Sequence, residues 1–347
     1  MASLNPCFNI RRPATAILLA ATLTLLASAG QATGTEMLRK KSVPAITLKN
    51  LSPPYPDHPY FQNSEFAPFE PWAAAFSRIN AWWLAEASTL VYADETFTRQ
   101  RFAEAGFQRV IFFDRSGTQG YVARHEHFAL IAFRGSEIWK RNESFDPTQV
   151  FADLKTNIDI RLTDWDRGGK VHKGFKTALD AVWADLLPET RRLQERDVPI
   201  WITGHSLGAA LATLAADRLR DVQGLYTFGS PRVGNQQFRD RFSVRAFRVV
   251  NGRDIVADVP PKGPYRHVGE HVWIDRKGDI HFGPGAGEAS GEADCFGDPS
   301  GSAPEEEIRE SRSAPYIPAS IRDHVPLLYS IYLWNGWVGH SMTCAGR

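Results

Sequence analysis

The stretch Gly204-His205-Ser206-Leu207-Gly208 places a serine between two glycines. It lies where the apolar, β-type run Pro199-Ile200-Trp201-Ile202 gives way to a helical pattern of small residues, Ala209, Ala210, Ala212, Ala215 and Ala216. A G-x-S-x-G pentapeptide at a strand-to-helix turn presents its serine hydroxyl on a strained backbone. Glycines two residues to each side leave room for the turn and for close packing of the helix. The helix N-terminus behind the serine favours negative charge. Three fixed positions in five also occur in ordinary loops, so the strand and helix flanks carry the weight of the match.

A serine hydroxyl is a weak nucleophile near neutral pH. It needs a histidine to take its proton, and that histidine needs a carboxylate to fix its tautomer and stabilise its cation. In hydrolases with such an elbow the chain order is Ser, then Asp or Glu, then His. Downstream of Ser206 the best-placed carboxylate is Asp254, just past the β run 246–250, with Asp258 as its rival on the same loop. Asp221 and Asp240 sit on polar stretches that read as solvated surface. A lone Asp after a strand is commonly a turn residue or a helix cap, so Asp254 gains meaning only with partners. The histidines that follow are His267, His271, His281, His324 and His340. His324 precedes a strongly apolar helical segment able to hold an imidazole rigidly. The oxyanion of an acyl-transfer intermediate needs N–H donors. Leu207 supplies one by position, and Ser136, after the apolar run 128–133, is the candidate for the second. A helix cap or simple turn is the plainer reading of Ser136. His267-Val268-Gly269-Glu270-His271 matches the H-x-x-E-H zinc pattern, which requires a helix. Pro260, Pro261 and Pro264 before it, Gly269 within it and Val272-Trp273-Ile274 after it describe a loop and a strand instead.

The elements that would position these groups alternate between strand and helix. Apolar spacing predicts a helix over 72–91 and another over 173–187, ended or kinked by Pro188. Strands are predicted at 110–113, 120–123, 128–133, 199–202, 225–228 and 246–250, with a terminal hairpin from 271–274 and 280–282. Gly224 reads as lying on the C-terminal side of the elbow helix. Residues 321–334 resume a helical, apolar pattern. The alternation predicts an α/β fold with a mainly parallel central sheet flanked by helices. Residues 30–70 read as an extended lead rich in proline and aromatics that lies on the domain at 71–347. Residues 283–318, rich in Gly, Ser, Pro and Glu, read as a flexible insertion.

The start of the chain predicts export. Arg11 and Arg12 precede an apolar run over 14–26, and Ala27-Ser28-Ala29 is an A-x-A site, giving a signal peptide over 1–29 and a secreted or periplasmic protein. An uncleaved anchor is the alternative. Of the 3 cysteines, Cys7 leaves with the signal, and the remaining Cys295 and Cys344 are expected to pair in an oxidising compartment, or else to stay as free thiols. A net charge of +1 with no basic stripe gives no footprint for nucleic acid.

Several short segments together resemble the fungal-type triacylglycerol lipases, also called class 3 lipases. They are Ala132-Phe133-Arg134-Gly135-Ser136, Val171-His172-Lys173-Gly174-Phe175, the serine pentapeptide, 227–235, Asn251-Gly252-Arg253-Asp254-Ile255-Val256 and Asp323-His324. The resemblance spans about 72–335. It implies an α/β-hydrolase fold with the elbow at 204–208, a triad of Ser206, Asp254 and His324, and an oxyanion hole at Ser136 and Leu207. It also implies a mobile lid after Ser136, where Ile138, Trp139, Phe145, Val150 and Phe151 stand among charges. The expected function is hydrolysis of lipid carboxylic esters through an acyl-serine, at a lipid–water interface, with no metal and no cofactor. A phospholipase, an esterase for soluble or aromatic esters, and a non-catalytic binding protein on the same fold are the alternatives.

Overall fold

The computed structural model describes residues 38–45, 47, 50, 52–136, 161–275, 277–283 and 317–345, the last three by backbone alone. The signal segment, the stretch 137–160 with Trp139 and its neighbours, nearly all of 283–318, Cys295 and the side chain of Cys344 lie outside the described residues. The strands are β1 (Arg109–Arg115), β2 (Thr118–Arg124), β3 (Ala129–Phe133), β4 (Leu162–Asp164), β5 (Lys170–His172), β6 (Ile200–His205), β7 (Gly224–Phe228), β8 (Ala246–Asn251), β9 (Glu270–Ile274) and β10 (Ile280–Phe282). The helices are α1 (Arg78–Leu90), α2 (Glu95–Glu104), α3 (Lys173–Gln194), α4 (Leu207–Leu219), α5 (Gln236–Arg241), α6 (Ala319–Arg322) and α7 (Pro326–Ala345).

Eight strands form one sheet in the order β1-β2-β3-β6-β7-β8-β9-β10. From β3 to β9 the neighbours run parallel; β1, β2 and β10 attach antiparallel as hairpin strands. Parallel strands must be covered on both faces, and β6 is buried at every position. Its alternation sorts the two layers. Ile200 and Ile202 point into a core with Leu179 and Val182 of α3 and Leu211 and Leu214 of α4. Trp201 and Thr203 face the other way: Trp201 Nε1 donates to the Pro71 carbonyl at 2.9 Å and Thr203 Oγ1 to that of Leu84 in α1 at 3.2 Å. His205 follows on that second face.

Several boundaries differ from expectation, each for a physical reason. The first helix starts at Arg78, not at Trp72, because the Ser77 hydroxyl caps it by accepting from Asn80 N–H at 3.1 Å. Trp72 is 66% exposed, and Phe76 reaches Tyr226 and Phe247 from non-helical chain. The third helix runs through Pro188 to Gln194. A mid-helix proline costs about 3 kcal/mol, but the apolar stripe continues past it to buried Leu193, which keeps the last turns on the core. The elbow helix ends at Leu219, and the positive φ of 64° falls on Arg220. Gly224 instead begins β7, where a Cβ would come within 2.5 Å of the Trp201 ring. The apolar run 321–334 is broken into α6 and α7, and His324 sits in the turn before Pro326.

Residues 52–70 form a succession of turns. Tyr55, Tyr60, Phe61 and Phe69 are buried. Phe69 stacks on Phe128 at 4.2 Å, and Phe61 packs against Trp83 at 5.0 Å and Phe102 at 5.4 Å. Burying such a ring contributes ~1.5–3 kcal/mol, enough to offset the backbone ordering of a residue or two at ~1–2 kcal/mol each.

Candidate active site

Ser206 joins β6 to α4 with φ 59° and ψ −128°, a conformation L-residues rarely adopt. Its N–H donates to the Phe228 carbonyl at 3.0 Å, which ties the turn to the end of β7. The flanking glycines are sterically required. A Cβ on Gly204 would stand 2.3 Å from the Gly208 carbonyl oxygen, and one on Gly208 would stand 2.1 Å from that of Phe133. Leu207 is the first residue of α4, so its N–H is among those a helix leaves without an internal acceptor. Phe133 pairs with Gly204 across the sheet, so the turn that leaves β3 through Gly135 to Ser136 runs beside the elbow. A Cβ on Gly135 would approach the His205 carbonyl oxygen to 2.8 Å.

Asp254 follows β8 by three residues. Its Oδ1 accepts from Val256 N–H at 2.8 Å and so caps the short 3₁₀ turn Ile255–Asp258. The same carboxylate lies 2.8–2.9 Å from His324 Nδ1, and both side chains are fully buried. The Tyr329 hydroxyl of α7 donates to Asp254 Oδ2 at 2.5 Å. Burial pushes the Asp254 carboxyl up, but the charge and hydrogen bond of His324 and the bond from Tyr329 outweigh it, and the group is held below its usual range. A carboxylate only accepts, so His324 carries its proton on Nδ1 and keeps Nε2 as the basic nitrogen.

The two loops that carry this pair are laced together. Asn251 Nδ2 donates to the Asp323 carbonyl at 3.0 Å, and Arg253 N–H to Asp323 Oδ2 at 2.9 Å. Gly252 lets Asp323 in, since a Cβ there would meet Asp323 Oδ2 at 2.3 Å. Gly229, at φ 56°, does the same for the pair itself: its Cβ would fall 2.4 Å from Asp254 Oδ2.

The other sequence candidates go elsewhere. Asp258 is 77% exposed and pairs with Arg232 at 3.3 Å. His267 Nε2 contacts the Ala257 carbonyl at 2.8 Å, and His271 lies on β9 opposite Arg248, so the H-x-x-E-H stretch is loop and strand. His281 pairs with Asp275 at 2.9 Å. His340 lies on α7. Tyr329 carries no signal in the sequence, and Asn251 and Asp323 stand there only within the family-like segments, with no role of their own. Each acts across roughly seventy residues of chain, and no local pattern marks such a contact.

The class 3 lipase family matches residues 130–263, which contain the elbow and Asp254. A lipase of Rhizopus niveus is 32% identical over 177 residues, covering 46% of this chain and 42% of that one. A secreted mono- and diacylglycerol lipase of Malassezia globosa is 30% identical over 217 residues, covering 56% and 62%. The chain thus spans about half the length of these relatives. Among solved structures, the Rhizomucor miehei triacylglyceride lipase superposes with a TM-score of 0.50 at 26% identity, over 60% of this chain and 85% of that one. The parallel sheet, its flanking helices and the strand–elbow–helix are those of the α/β-hydrolase fold. Through residues 130–263, this chain is similar to the class 3 lipases.

Proposed function

We propose that this chain is an exported serine ester hydrolase that cleaves carboxylic esters of lipids, acylglycerols foremost, through an acyl-Ser206 intermediate. The observation that carries the reading is the buried Asp254–His324 pair, with Nδ1 bound at 2.8 Å, on loops at the end of the sheet from which the Ser206 elbow departs. His324 Nε2 takes the Oγ proton as Oγ adds to the ester carbonyl carbon. The carbonyl electron pair moves onto oxygen, where the N–H of Leu207 and the N–H or hydroxyl of Ser136 receive it. Collapse expels the alcohol, which leaves with the proton from His324. Water then adds to the acyl-enzyme, giving its proton to His324; collapse breaks the bond to Oγ, which takes that proton back from His324 as the fatty acid departs. Asp254 keeps His324 in the required tautomer and stabilises its cation. The scheme uses no metal and no cofactor.

Lipid substrates are supported by relatives named as mono- and diacylglycerol lipases. Export is supported by the basic and apolar start of the chain and by those relatives being named as secreted. The lid expected after Ser136 belongs to the same reading.

A serine-directed phosphonate tests it. The probe is expected to label Ser206, located by peptide mass spectrometry, and to abolish hydrolysis of dispersed acylglycerols. Absence of labelling in folded protein would leave the non-catalytic binding protein. Faster turnover of phospholipids or of soluble aromatic esters would move the substrate class while keeping the triad.

A further inference from the structure

The residue before the nucleophile performs no step in that scheme, yet both of its ring nitrogens are engaged. His205 is 1% exposed. Its Nε2 lies 2.7 Å from the main-chain carbonyl of His324, and its Nδ1 lies 3.1 Å from the Tyr92 hydroxyl. A carbonyl can only accept, so Nε2 carries the proton, and Nδ1 is left to accept from Tyr92. The ring also faces that of His324, with centroids 4.4 Å apart and planes at 33°. The charged or titratable groups around it are Tyr92 beyond α1, His324 in the turn before α7, Tyr329 on α7 and Asp254 after β8. Burial, reinforced by His324, holds His205 well below the ordinary histidine range. A neutral neighbour matters here, because the adjoining imidazole becomes a cation at each acyl-transfer step.

Tyr92 extends the arrangement toward the other half of the site. A Cβ on Gly135 would sit 2.0 Å from the Tyr92 hydroxyl oxygen, so this hydroxyl rests against the turn that leads to Ser136. One hydroxyl and one imidazole therefore connect the turn after β3, the end of β6 and the main chain of His324.

We propose that His205 is a positioning residue for acyl transfer: its Nε2–H grips the main chain of His324, and the Tyr92 hydroxyl, by donating to Nδ1, selects the tautomer that can do so. The inference rests on Ser206 and His324 acting as nucleophile and base. Misplacing a catalytic group by about 1 Å can cost roughly 100-fold. His205→Leu removes the grip and is expected to lower kcat roughly 10- to 100-fold, with KM within about twofold, because substrate binding is untouched. His205→Gln restores a donor and is expected to recover most of the loss. Tyr92→Phe keeps the ring and removes only the hydroxyl, so it serves where His205→Leu does not fold; a smaller fall in kcat is expected.

The experiment measures kcat and KM on one ester for the full-length wild type and the three variants, per active site titrated with the phosphonate. The ring nitrogens of His205 are followed in parallel by 15N NMR. Expected are an Nε2–H tautomer that does not titrate between pH 5 and 9 in the wild type, and its loss in Tyr92→Phe. A proton on Nδ1, or unchanged kcat in both His205→Leu and Tyr92→Phe, would overturn the inference. A fall in kcat that His205→Gln does not relieve would also overturn it. A wild type that the phosphonate fails to label would instead overturn the hydrolase reading beneath it.

Discussion

Among the described residues, two fully buried carboxylates each bind a histidine, and they do so through different ring nitrogens. Asp254 holds His324 through Nδ1 at 2.8 Å. Glu86, in the middle of α1, holds His58 of the lead through Nε2, at 3.0 Å from both oxygens. Around Asp254 the remaining donors are neutral, the Tyr329 hydroxyl and the Val256 N–H. Around Glu86 stand Lys41 Nζ at 3.5 Å, Trp82 Nε1 at 3.1 Å and the Ser330 hydroxyl of α7. Lys41 itself lies over the rings of Trp82 and Trp334, at 5.5 and 5.3 Å. The Glu86 cluster thus fastens the lead, α1 and α7 together, and its histidine spends Nε2 on the carboxylate. In the proposed scheme His324 spends Nδ1 and keeps Nε2 for proton transfer. The same two residue types make a brace or a base according to which nitrogen is bound and what stands beyond the other.

The largest effects should separate the two sites by activity. Ser206→Ala is expected to lower kcat roughly a million-fold, with His324→Ala similar, and Asp254→Asn roughly ten-thousand-fold, as in serine hydrolases dissected this way. Glu86→Ala, measured per folded molecule, should leave kcat within about threefold. Initial rates on an emulsified and a soluble ester decide this. A near-normal Asp254→Asn enzyme, or one inactivated by Asp258→Asn instead, would dissolve the comparison.

Stability should separate them the other way. Removing one partner from a buried ionic cluster leaves charge without its counterpart and costs about 3–5 kcal/mol. Glu86→Ala should therefore lower the unfolding free energy from denaturant titration by an amount of that size, while Ser206→Ala should not. A Glu86→Ala protein as stable as its parent would mean the cluster is decoration.

Acid provides a third separation. Burial pushes the Glu86 carboxyl up, but the charges of His58 and Lys41 and the bonds from His58 and Ser330 bring it down to about 2. A carboxyl depressed in the folded state gives stability that is fully present above its unfolded value of about 4.3 and is lost as pH falls through the folded value. The wild type should lose about 3 kcal/mol between pH ~5 and ~2 that Glu86→Gln does not lose. Asp254 is depressed too and acts in the same direction, so the difference between the two proteins is the quantity to follow. Parallel stability curves for the two proteins across that window would remove the ionic role assigned to Glu86.

The elements around Ser206 are legible in the sequence because they are local. An apolar β run, a glycine, a serine, a second glycine and a string of alanines specify a strand, a turn and a helix within twenty residues. The strands β3, β7 and β8 are legible for the same reason. Choosing between Asp254 and Asp258 is not local, since both lie on one short loop. The laces between 251–254 and 323–324 decide it by fixing which carboxylate faces the turn before α7. The Glu86 cluster is invisible in the sequence. Its members are 28 and 244 residues apart along the chain, and although Glu86 falls on the buried stripe of Ile79, Trp83 and Leu90, helical spacing does not name the partners that neutralise it. Pro188 misleads for a related reason: its local cost is real, but tertiary packing of Leu193 outweighs it.

The smallest effect sharpens the comparison most. Tyr329 is the donor to Asp254 that has no counterpart among charged residues at that site, as Lys41 is at Glu86. Its hydroxyl gives its proton to Asp254 Oδ2 at 2.5 Å and receives the Asn251 N–H at 3.0 Å. Burial, then the charge of Asp254 and the bond to it, push the phenol well above its ordinary range, so it remains a proton donor at any working pH. Tyr329→Phe keeps the ring against Phe228 and removes only the hydroxyl. Asp254 should then lose one of the bonds that stabilise its charge, and its pKa should rise toward the ordinary value. A hydrogen bond to a charged group contributes about 1.5–3 kcal/mol, but His324 and the Val256 N–H still hold the carboxylate, so the lower end applies. The expected cost is roughly tenfold in kcat/KM, with KM little changed. In acid unfolding, Tyr329→Phe should reduce the stability that Asp254 contributes above its unfolded value, leaving the Glu86 share in place. The double variant Tyr329→Phe with Glu86→Gln should therefore show additive changes in the acid curve, because the two carboxylates answer to separate partners. Strong non-additivity would mean that α7, which carries both Tyr329 and Ser330, couples the brace to the base.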